Sequence, residues 1–97
     1  MIYQVIILES LYYELEEAVE YYKTKEIELA LAFILNWESA MEQLKYTPLH
    51  YQKKNKELRT IKISRFPYLI VFEIIGSKVY VYRLINGYKN PKKVFMK

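Results

Sequence analysis

Lys62, Arg83 and Lys89 are the side chains of this 97-residue sequence best suited to chemistry on an anionic substrate. Metal-free cleavage of a phosphodiester needs a proton acceptor, a proton donor and positive charge at the scissile phosphate. The three cations would supply that charge if one face of a sheet carried them. Lys62 alternates with Ile61 and Ile63, so it points away from the dry face of its strand. Arg83 is two residues on from Val81 and four from Val79, so simple alternation puts it on their side. The plainer reading is a solvated lysine surface with Arg83 in a salt bridge. Tyr80 and Tyr82 share a face with Lys78. Such a pair could stack single-stranded bases, or it could pack beneath helices as core.

Other chemistries lack their residues. His50 is the one histidine and stands in a loop without further ligands at metal spacing, so no metal site is expected. It also offers no credible partner for a serine triad. Gly76 and Gly87 are the two glycines, which rules out a glycine-rich phosphate loop. With no cysteine there is no disulfide or thiolate centre, and no cofactor is expected.

Charge is unevenly divided. Residues 1–49 set Lys23, Lys25 and Lys45 against nine acids, whereas residues 50–97 hold twelve Lys or Arg against Glu57 and Glu73. An anionic partner for the basic half, or a plain solvated surface, would account for this. Hydrophobic residues make up 53% of the chain and aromatics 16%, too many for a disordered chain and more than one small core uses. Met1 to Leu8 is apolar but lacks a charged leader and a cleavage site, and no apolar run reaches membrane-spanning length. The expectation is one cytoplasmic domain over residues 1–97 with no membrane association.

The residues that could do chemistry must be held by regular elements. Ile2 to Leu8 is β-branched and aromatic, which favours a strand. Leu11, Leu15, Ala18, Val19 and Tyr22 then recur at helical spacing among glutamates, with Ser10 as an expected N-cap. Lys23-Thr24-Lys25 is a polar break. Ala30, Phe33, Ile34, Trp37, Met41 and Leu44 form a second helical stripe. Ile27, Leu31 and Leu35 widen it to an arc that should be covered on two sides. Thr47-Pro48 ends the helix. Leu49 to Glu57 reads as a lysine-rich loop. Three strands follow at Leu58–Ser64, Tyr68–Ile75 and Lys78–Ile85, the last two joined by a Gly76-Ser77 turn. The middle one is apolar on nearly every residue, as a central strand buried on both faces would be. The fold class is α+β with order β-α-α-β-β-β: a helical hairpin on a mostly antiparallel four-stranded sheet.

Three segments carry a family resemblance. Glu14-Leu15-Glu16-Glu17-Ala18-Val19-Glu20-Tyr21-Tyr22 resembles the acidic first helix of the RelE/ParE toxin superfamily. Arg65-Phe66-Pro67-Tyr68 resembles its entry into the central strand, and Asn86-Gly87-Tyr88-Lys89-Asn90-Pro91 the segment after its last strand. The resemblance spans nearly the whole chain. It implies a growth-inhibiting toxin neutralised by a cognate antitoxin. Some members cut mRNA on the ribosome with a cluster of basic residues and a tyrosine, at positions that here are Leu69, Lys89 and Phe95. Leu69 cannot stabilise a phosphorane and Phe95 has no hydroxyl. With the long hairpin, this favours the ParE-like branch, whose members poison DNA gyrase.

Three readings follow. The first is a ParE-like toxin acting on a protein such as DNA gyrase, with Arg65, Lys89, Lys92, Lys93 and Phe95 as candidate target-binding residues. The second is a ribosome-dependent mRNA endoribonuclease using Lys62, Arg83 and Lys89. The third is a non-toxic nucleic-acid-binding relative. An antitoxin segment that fits this chain should carry apolar anchors and more acids than bases.

Overall fold

The computed structural model describes residues 1–87. The element order is β1 (Gln4–Ile7), α1 (Glu9–Lys25), α2 (Ile27–Tyr46), a 3-10 turn (Pro48–His50), β2 (Lys53–Asn55), β3 (Leu58–Lys62), β4 (Tyr68–Ile75) and β5 (Lys78–Asn86). One sheet runs β1-β5-β4-β3-β2. All its pairings are antiparallel except β1 with β5. The α+β hairpin-on-sheet expectation is met, with a fifth strand in place of four. The extra strand is Lys53–Asn55, inside the stretch read as a loop. Its three residues have no apolar alternation to announce them, and they pair irregularly with β3.

The helical hairpin is tighter than its sequence suggests. Lys23 to Lys25 remain helical, and Glu26 alone separates α1 from α2. Its extended backbone donates to Tyr22 O at 2.9 Å and its carbonyl accepts from Leu29 N at 3.1 Å, so one residue closes α1 and opens α2. Ser10 is not the N-cap: the helix starts at Glu9, and Leu8 precedes it without a side-chain cap. At the other end Thr47 satisfies Gln43 O through both its N–H and its hydroxyl, and Pro48 prevents another turn.

The hairpin covers one face of the sheet. Leu11, Phe33 and Leu44 from the helices meet Ile70, Phe72, Val79 and Val81 from the strands, all fully buried. Arg65-Phe66-Pro67-Tyr68 contributes to this core. Phe66 lies 4.9 Å from Tyr22 and 5.1 Å from Phe33 between ring centroids, and Tyr68 lies 5.2 Å from Phe33. Edge-to-face rings at such spacing add roughly 0.5–1.5 kcal/mol per pair beyond area burial. Arg65 stays exposed at the tip of the turn, with φ of 74°, where Asn36 Nδ2 of α2 donates to the preceding Ser64 O at 3.0 Å.

Candidate interaction surface

The second side of the α2 arc is uncovered, contrary to expectation. Ile27, Leu31 and Leu35 are 51%, 55% and 65% exposed. Their four-residue spacing lines them up on one helix face. Beside them, α1 and α2 leave an apolar groove of about 490 Å³ lined by Tyr12, Leu15, Val19, Ile34 and Trp37, with Glu16 and Glu38 at its rim. The helical hairpin therefore buries one face and presents another apolar one.

The opposite face of the sheet is also open. Leu58 and Val71 are buried there, with Tyr82 and Ile85 packed against them, and no helix among the described residues lies over them. The cross-strand row Lys62–Leu69–Ile85 runs over this face. Lys62 is exposed, its ammonium 3.3 Å from Ile63 O, and its neighbour in β4 is aliphatic. Tyr80 and Tyr82 are on this open side, not beneath the helices. Tyr82 donates from its hydroxyl to Glu73 Oε1 at 2.7 Å. Burial first, then that bond and the Glu73 charge, push the Tyr82 hydroxyl up to about 12.

Arg83 behaves differently from Lys62. The β4–β5 register jumps from Val71↔Arg83 to Phe72↔Val81, so Tyr82 is the extra residue of a bulge and the simple alternation ends there. Arg83 reaches α1 instead. Its Nε and an Nη donate to Glu14 Oε2 at 2.9 and 2.8 Å, while Glu14 Oε1 accepts the backbone N–H of Leu84 at 3.0 Å. Glu14 thus holds a strand edge and a guanidinium together. Sequence reasoning did not single it out, because nothing separates it from Glu16, Glu17 and Glu20 until the bulge brings Arg83 beside it. Lys62 and Arg83 are consequently held on different surroundings, one on the open face and one against α1. Lys89, Lys92, Lys93 and Phe95 lie outside the described residues.

Neither surface is built around a buried polar group: among the described residues no polar or charged side chain is buried. No group of three or more His, Cys, Asp or Glu among them could hold a metal ion. His50 is exposed, with its ring edge-on to Tyr51 at 5.5 Å. No helix among the described residues is long and apolar enough to cross a membrane. What the geometry offers is apolar docking area with charged margins.

No protein-family model and no curated protein sequence matches the chain. Among solved structures, a chain described as "Chromosomal ParDE TA system from P. aeruginosa" superposes with a TM-score of 0.76 at 15% identity. The match covers 88% of this chain and 96% of that one. A likeness at that identity is one of fold. The helical hairpin on a mixed sheet is the fold this chain shares with that one, a ParE-like fold.

Proposed function

We propose that this chain is the toxin of a toxin–antitoxin pair, neutralised by a cognate antitoxin and acting by binding a protein target such as DNA gyrase. The shared fold with a chain of a ParDE system supports the toxin reading. The branch rests on one observation: Leu69 occupies the middle of the open-face row between Lys62 and Ile85. An aliphatic side chain there cannot neutralise a developing phosphorane charge. Arg83, the other described cation of the nuclease reading, is already committed to Glu14.

The antitoxin reading uses the exposed apolar residues. A segment that folds on binding needs anchors, and Ile27, Leu31 and Leu35 present a row for them. Acidic residues of such a segment would complement the excess of Lys and Arg in residues 50–97. The target-binding candidates Arg65, Lys89, Lys92, Lys93 and Phe95 belong to this proposal.

Induced expression in a bacterium tests it. The expected result is growth arrest with broken DNA and intact mRNA, relieved by co-expression of the neighbouring small gene. Ribosome-phased mRNA cleavage would establish the endoribonuclease reading instead. Unimpaired growth would leave the non-toxic nucleic-acid-binding reading.

A further inference from the structure

The sheet has two outer strands, and they end differently. The β2 edge is three residues long, irregularly paired, and carries Lys53 and Lys54, all features that discourage another strand from adding. The stretch of β5 that extends past β1 is closed by Glu14, which takes the Leu84 N–H. The β1 edge has no such guard. Its residues, Gln4-Val5-Ile6-Ile7, include no proline, lysine or bulge, and they follow the exposed Met1 and Ile2.

The hydrogen bonds of β1 show which groups point outward. Gln4 N–H donates to Ser77 O at 3.0 Å and Leu8 N–H to Val81 O at 3.1 Å. In a parallel ladder every second residue bonds its neighbour, so Gln4, Ile6 and Leu8 face β5. The N–H and C=O groups of Val5 and Ile7 therefore point to the open edge. Tyr3, the outward residue before them, already donates to Lys45 O at the end of α2, at 2.8 Å. The free edge is confined to two residues placed symmetrically about Ile6.

We propose that this edge pairs antiparallel with the same edge of a second copy of the chain, on a two-fold axis through Ile6. Val5 of each copy then faces Ile7 of the other as a hydrogen-bonded pair, and every outward group of both strands is satisfied. Charge favours a second copy over an arbitrary strand. Glu9 follows β1 after Leu8, while the Lys45 carbonyl takes the Tyr3 N–H at the strand's start and the Lys45 ammonium, 3.7 Å from Glu42, is still about half exposed. The two-fold rotation sets Glu9 of each copy toward Lys45 of the other, twice. It also joins Ile6 to Ile6 on the open face, which extends that apolar surface across both sheets.

The absence of cysteine makes the arrangement testable by a single thiol. Residues facing each other in a non-hydrogen-bonded antiparallel pair have Cα atoms about 4.5 Å apart, within disulfide reach. Mild oxidation of full-length Ile6→Cys should give a covalent dimer, reversed by reductant. Gln4→Cys places a more exposed thiol two residues away, yet it should link about tenfold less, because its counterpart lies beyond that reach. Sedimentation of the unmodified chain over a concentration series should show a dimer, and Ile6→Lys, which sets two ammonium groups face to face, should shift it to monomer. A wild-type chain that stays monomeric throughout overturns the proposal, whether or not the cysteine variant folds. So does faster linking of Gln4→Cys, or a β1 edge filled by a strand from another protein. None of these readouts depends on toxicity.

Discussion

On the helix side of β4, Ile70 and Phe72 meet Leu11, Phe33 and Leu44 and are sealed from solvent. One residue along, on the other side, Val71 has Leu58, Tyr82 and Ile85 as its apolar neighbours and lies between Thr60 and Arg83 in the sheet. Both sides of the strand are dry at its centre, but they are dried by different means. The helix side is covered by a second layer. The open side is covered by its own neighbours, which lean together over a small patch. A patch of that kind can collapse when an atom is removed, whereas a site between two rigid layers cannot. The comparison also separates roles: the helix side makes the fold, and the open side, still partly wet, is available for a partner.

Matched truncations give the largest effect and test the comparison directly. Leu44→Ala removes a fully buried side chain between α2 and the sheet and should cost about 4 kcal/mol in urea unfolding. Leu58→Ala removes a side chain of the same type, 5% exposed, from the open side and should cost about 2 kcal/mol. Equal losses would mean that the two sides are packed alike.

The next effect concerns the tie between the layers. Glu14→Ala deletes a carboxylate that accepts from Arg83 and from the Leu84 N–H, and should cost about 1–2 kcal/mol. Arg83→Met leaves the backbone bond in place and removes a half-exposed ion pair, so it should cost under about 1 kcal/mol. If the arginine variant proves the more costly, the ion pair and not the edge closure is what fastens α1 to β5.

Much of this arrangement could be read from residue order. Of the two helical stripes that the spacing marked, Leu11, Ala18, Tyr22, Ala30, Phe33, Trp37 and Leu44 are buried, while Leu15, Val19, Ile34 and Met41 are half-buried. The run Tyr68–Ile75, apolar but for Glu73, marked a strand with both sides dry at its centre. Three things were hidden for physical reasons. β2 is held by one edge of β3 and by no core contact, so its lysines carry no pattern. The exposure of Ile27, Leu31 and Leu35 depends on how far α1 wraps around α2, which is a tertiary matter. Arg83 was placed with Val79 and Val81 by alternation, and the bulge at Tyr82 cancels that alternation between them. A bulge is set by strand pairing, which one strand's sequence does not contain.

The smallest effect is a pH-dependent one on the open side. Tyr82 donates to the Glu73 carboxylate, and Tyr82→Phe removes that bond without changing shape, at a cost of about 1 kcal/mol at neutral pH. The hydroxyl ionises at about 12 in the fold against an ordinary 10.0, because burial and the adjacent negative charge both oppose a phenolate. A raised folded value means that the neutral phenol is favoured by folding. Its contribution is therefore complete below pH 10 and is lost as pH rises from there toward 12. Unfolding free energies of the wild type and Tyr82→Phe should differ at neutral pH and converge across that interval. In an alkaline titration followed by phenolate absorbance, the variant should lack the step at the upper end. A difference that stays constant through that interval would mean that the phenol reaches water as easily as one on an uncovered strand, and that the patch around Val71 is looser than the helix-covered side by more than its missing layer.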